Sequence, residues 1–180
     1  MKNPKSDIEK ILKSKGFSDF KWILPKEIVV AHWVRMKCTY GCSSYSENAS
    51  CPPNVPSVEE CRKFFDEYKT GMIIHIPGKM DKPEDRAAWS VLQNDKLLQV
   101  EREVFLLGFR KAFITYMDEC RLCEECPGKR EDCLHKDDSR PSPEAFAVDV
   151  FETVKKYDFP IEVLKDYSEE MNRYAILLID

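Results

Sequence analysis

Apolar positions along the chain fall into two periods, and the alternation between them outlines the fold. Within Asp7–Lys15, Ile8, Ile11 and Leu12 recur at helical spacing, and Gly16 follows as a C-terminal stop. The segment Glu27–Cys38, EIVVAHWVRMKC, is rich in β-branched and aromatic residues and reads as a strand running into Cys38. Ser57 and Glu60 stand at capping-box spacing, and Cys61, Phe64, Phe65 and Tyr68 then mark one helical face. GMIIHIPG reads as a buried strand over 71–78. Pro83 and Gly108 bracket a long helix whose stripe is Leu97, Val100, Val104 and Leu107, and FRKAFITYM is a strand leading to Cys120.

Beyond residue 133, Ser142 is placed to cap a helix with Pro143 at its first position, Glu144 behind it, and Ala147, Val150, Phe151 and Val154 on its apolar face. PIEVL and RYAILLI are the last two strand candidates. Strands alternating with helices predict a single layered α/β domain over 1–180. The sheet is expected to be mixed, with at least one parallel βαβ crossover over 72–117 and helices packed on it. Two cysteine-rich loops, 38–61 and 120–133, are expected at strand ends, a common location for a site.

Composition narrows the picture. Hydrophobic residues make up 43% of 180, enough for one proper core. The charge is −4, from 28 basic and 32 acidic residues with the signs interspersed, so nucleic acid is not expected as a partner. No apolar run approaches the roughly 20 residues of a membrane-spanning helix, and the charged N-terminus MKNPKSDIEKILKSKGF lacks a signal core. A cytoplasmic, membrane-free protein is expected, whose eight cysteines are reduced thiols or metal ligands rather than a disulfide framework.

Those cysteines form two groups. Cys120, Cys123 and Cys126, followed by Pro127, open the C-x2-C-x2-C-P run of bacterial ferredoxins, where short spacings let successive thiolates reach different irons of a cubane; Cys133 is the nearest fourth sulfur. Zinc also takes four thiolates, yet zinc sites usually join two separated C-x2-C knuckles. Arg121, Lys129, Arg130 and backbone N–H groups are available to offset an anionic cluster. The first group, Cys38, Cys42, Cys51 and Cys61, has looser spacing. Cys61 lies on the apolar face of its helix, where a core role competes evenly with a ligand role; His32 is the alternative ligand, although a satisfied or exposed histidine is the favoured reading of it. His75 reads as packing. His135 is placed to donate to a cluster sulfur or to replace a ligand, though a plain loop role is the favoured reading.

The combination of Cys38–Cys42, SCPPNVPSVEEC, CRLCEEC, Cys133 with Leu134 and His135, and RPSPEAFAVDV resembles a family of predicted metal-binding proteins, domain of unknown function 2284. The resemblance spans about residues 30–165. It implies that both cysteine groups matter and that metal, iron–sulfur foremost, is their purpose; it implies no reaction. Asp118 and Glu119 depart from the glycine-containing turn that the family leads one to expect before the run. RPSPE is read first as structural, with local roles for Pro141, Ser142, Pro143 and Glu144; Arg140 alone lacks one, and the alternative has it reach toward a cluster sulfur or an anionic substrate. Trp33, Tyr40 and Tyr45 are loop or core aromatics, or else gate the first loop.

Three functions are open on this reading. The first is an iron–sulfur protein with one or two 4Fe-4S clusters and a redox or electron-transfer role toward a partner protein. The second is a zinc-stabilised binding module, and the third an enzyme using a cluster with an open iron position. Catalytic residues and oligomeric state are not readable.

Overall fold

A computed structural model describes residues 4–80, 82, 84–166 and 168–180. Its elements are helix α1 (Pro4–Ser14), strand β1 (Phe20–Ile23), a short 3-10 turn (Pro25–Glu27), α2 (His32–Gly41), α3 (Val58–Asp66), β2 (Gly71–Gly78), α4 (Asp85–Leu106), β3 (Phe113–Ile114), α5 (Val150–Lys155) and β4 (Met171–Leu178). Pro83, expected near the start of the long helix, lies outside the described residues.

The sheet is four-stranded in the order β1-β2-β4-β3, and every pairing in it is antiparallel. The expected mixed sheet with a paired parallel crossover is therefore corrected. β2 and β3 do run the same way, both opposed to β4, but β4 lies between them and takes the hydrogen bonds of each. RYAILLI thus belongs to the longest pairing in the sheet, with Met72 opposite Leu177 and Ile76 opposite Arg173.

Alternation along β2 and β4 feeds two cores, one on each face. Ile73, Tyr174, Ile176 and Leu178 face Val58, Cys61 and Phe65 of α3 and Val150 and Val154 of α5. Met72, Ile74, Ala175 and Leu177 face Ile8 and Leu12 of α1 and Leu97, Val100 and Val104 of α4. Helices therefore cover both sides of the sheet. Leu107, expected in the α4 stripe, is instead 47% exposed, because α4 has ended by then and Gly108 at φ +104 turns the chain away.

Three further expectations change. Residues 27–38 are not a strand: Val30 makes one antiparallel bridge to Val148, and α2 begins at His32. Val34 is the one side chain of α2 that is buried, so tertiary context rather than β propensity decides this segment. The helix expected from Ser142 starts later, at Val150, with Asp149 as its N-cap accepting from Glu152 N at 3.0 Å. Ala147, at φ +60, breaks any earlier helix, and its carbonyl accepts from Ala31 N. PIEVL is irregular, and Val163 within it is 76% exposed.

Candidate metal centre

The first cysteine loop leaves a helix rather than a strand. Cys38 and Cys42 are one turn apart at the C-terminal end of α2, which puts them on the same face. The chain then turns through 43–56, where the buried Cys51 lies near enough to Cys38 and Cys42 for their charges to act on it. Burial raises the Cys51 thiol to about 12, and Glu119, Cys42, Cys38 and Cys120 add to the rise; Cys38 is raised by burial and then by Cys42, with Arg35 opposing. These three sulfurs feel one another, and Cys51 also feels the second group.

Cys61 stands apart. It is 0% exposed within the core, and its thiol donates to the Pro56 carbonyl at 3.5 Å. Burial pushes it up to about 11, against the opposing charge of Arg35. These are the surroundings of a small apolar residue. His32 is no substitute, for it lies at the start of α2 paired with Glu59 at 2.8 Å, both side chains exposed.

The second loop begins where β3 ends. Thr115 prolongs the sheet by one residue, its N–H donating to Ile176 O and its Oγ1 accepting from Ile176 N, after which the chain leaves the sheet. Cys120, Cys123, Cys126 and Cys133 then line one small concavity together with Asn48, Ala49, Ser50 and His135. Cys120 is raised by burial and then by the three other thiols, against an N–H bond from Leu122; Cys123 is raised by burial, Cys126 and Cys133. All eight cysteines are free. Among the described residues, no three His, Cys, Asp or Glu side chains converge closely enough to hold a single metal ion, so the sulfurs ring a concavity rather than meet at a point.

Polar contacts to sulfur are present in this concavity. Ala49 N–H donates to Cys126 Sγ at 3.3 Å, Arg130 Nη1 lies 3.8 Å from Cys133 Sγ, and Ser139 Oγ lies 3.6 Å from the same sulfur. Arg121 is turned to Glu119 instead. Arg140 does not reach the cysteines, because its guanidinium pairs through two nitrogens with Glu101 and packs over the Phe113 ring at 5.8 Å. His75 is buried in β2 between Asp19 at 2.6 Å and Asn172 at 2.8 Å.

Two sets of residues that sequence reasoning missed hold this region together. Asn48 joins the cysteine loops: its Nδ2 donates to Cys120 O at 2.7 Å and its Oδ1 accepts from Ser50 N at 2.9 Å. Asn54 Nδ2 adds a bond to Gly128 O at 2.6 Å, and Ser44 donates to Glu119. The second set is a buried polar row on α4. Ser90 donates to Asp118 at 3.1 Å, Asn94 accepts from Met117 N at 3.2 Å, and Glu101 accepts from Ile114 N at 2.7 Å. Asp118, the departure noted before the cysteine run, is held there by Arg86 at 2.7 Å as well.

No helix among the described residues is long and apolar enough to cross a membrane. A family model described as Predicted metal-binding protein (DUF2284) matches residues 21–179, and the chain belongs to that family. No curated protein and no solved structure matches it.

Proposed function

We propose that this member of the predicted metal-binding family carries a 4Fe-4S cluster in the concavity of Cys120, Cys123, Cys126 and Cys133 and serves a redox role toward a partner protein in a reducing, cytoplasmic compartment. The observation that carries the reading is that these four sulfurs share one concavity and receive a backbone N–H and a guanidinium. When bound, such a cluster supplies one-electron transfer. The donor set fits it: burial, and after it the neighbouring thiols, raise the proton affinities of Cys120 and Cys123, and a cationic centre would offset both effects while releasing protons. The Ala49 N–H and Arg130 then offset the residual negative charge. The Asn48 and Asn54 bonds fix the loop that presents Ala49.

Cys38, Cys42 and Cys51 are the proposed ligands of a second centre. With Cys61 in the core, that set offers three protein thiolates, which favours the further reading of a cluster with an open iron position and hence an enzyme.

The test is iron, zinc and acid-labile sulfide analysis of protein purified without oxygen, with visible spectra before and after dithionite. Iron and sulfide in equal amounts with an absorbance that bleaches support the reading. Colourless protein holding zinc replaces it with the zinc-stabilised module.

A further inference from the structure

A cavity of about 510 Å³ opens beside the first cysteine loop, between α2, the start of β4 and the irregular segment 161–164. Its size lies within the roughly 300–1,000 Å³ of small-molecule sites. Its walls are largely apolar, contributed by Trp33, Val150, Phe151, Ile161, Leu164 and Tyr174, and Cys38 and Cys42 stand at one side. Arg173 of β4 is among the lining residues, and its Nε is buried without a hydrogen-bond partner among the described residues.

The guanidinium forms no hydrogen bond or ion pair among the described residues, and Nε alone of its nitrogens is fully closed off, so its Nη groups are left to meet an anion from the cavity. The nearby carboxylates attract the guanidinium without bonding to it among the described residues. Asp118 is occupied by Arg86 and Ser90, and Glu144, though close enough to act on Arg173 electrostatically, forms no ion pair with it among the described residues. Burial and the charge of Arg86 both work against the Arg173 cation, with Asp118 and Glu144 favouring it.

We propose that this cavity binds a small organic carboxylate with an apolar body, its carboxylate on Arg173 and its body against the Trp33, Phe151 and Leu164 walls. A monoanion fits better than a phosphate, because the same cavity carries Glu144, Asp149 and Glu162, which repel a dianion. Lys37 also lines the cavity, but its ammonium sits over the Trp33 ring at 5.4 Å and is a weaker candidate anchor. The pocket is built by α2, the 148–151 region, β4 and the 161–164 segment. Its position beside Cys38 and Cys42 would place the bound molecule next to the second proposed centre, and that clause alone rests on the functional reading above.

Calorimetric titration of the full chain, purified without oxygen, with 4-phenylbutyrate and separately with its uncharged amide tests the site. The acid is expected to bind saturably, one per chain, and at least about tenfold more tightly than the amide, as expected for one charge-assisted pair. Arg173→Gln should bring the acid down to the level of the amide while leaving the amide unchanged. Equal binding of acid and amide by the unaltered protein, or no saturable binding of the acid, overturns the proposal even if the variant does not fold. An acid preference that survives in folded Arg173→Gln overturns the anchor. Metal content measured on the same samples separates a failure here from a failure of the cluster reading.

Discussion

The backbone N–H of Ala49 points at the sulfur of Cys126, 3.3 Å away, across a gap of 77 residues in sequence. One cysteine loop therefore supplies a hydrogen bond to a sulfur of the other, and the Asn48 and Asn54 bonds keep them in register. Whatever the second loop holds, the first helps shape its electrostatics.

Cysteine replacements should separate the two kinds of thiol. Cys123→Ser, in the short run, should reduce the iron and sulfide content of anaerobic protein to that of a single remaining centre or none. Cys61→Ala should leave metal content unchanged and lower stability by about 1 kcal/mol, the cost of losing one small buried group. Elemental analysis with urea unfolding checks both, and full metal content in Cys123→Ser would remove the best-supported ligand.

Asn48→Ala deletes the bonds to Cys120 O and Ser50 N and leaves the buried Ser50 N–H and the half-buried Cys120 carbonyl without these partners. A loss of about 1–3 kcal/mol is expected, together with faster release of metal to a chelator than from the parent chain. Identical release rates would show that the loops are fixed by something else.

The pair of Glu101 and Arg140 is shielded, with side chains 10% and 16% exposed. Glu101→Gln strands the guanidinium in the interior and weakens the acceptor for Ile114 N. The expected cost is about 3 kcal/mol, at the lower end for breaking a buried pair, read as a fall in the urea midpoint. If the midpoint holds, water has access to this pair.

Stability of the metal-free chain should fall at high pH. The Cys61 thiol is raised from 9.0 to about 11 in the fold, so below pH 9 both folded and unfolded states keep the proton and the contribution is complete. Between pH 9 and about 11 the unfolded chain ionises first, and this contribution to stability is lost. Cys61→Ala should make that part of the urea-midpoint profile less steep, with Cys51 and the other raised thiols supplying the rest; an unchanged slope would mean that the Cys61 thiol ionises freely within the fold.

Features governed by near neighbours were legible in the sequence. The Ser57–Glu60 capping box forms as written, Gly16 ends α1 at φ +90, and the spacing of Cys120, Cys123 and Cys126 suffices to bring them to one concavity. What failed depended on distant partners. The apolar and aromatic residues of 28–34 resemble a strand, but β1 and β3 form the two edges of the sheet and only Val30 bridges to the 148 region, leaving α2 to form. Asn94 and Glu101 gave no signal, since a polar residue in a helix looks solvated until the strand end it serves is known. Asn48, in a loop full of small polar residues, was equally silent, because its main partner is 72 residues away.

The strand that joins β2 to β3 is made after both cysteine loops. During vectorial synthesis the loops emerge while β2 and β3 still lack the neighbour they share, and neither face of the sheet has its floor. The frame that carries both loops is therefore completed only by the last strand, and a chain truncated before β4 would keep every cysteine while losing the strand that holds β2 and β3 together.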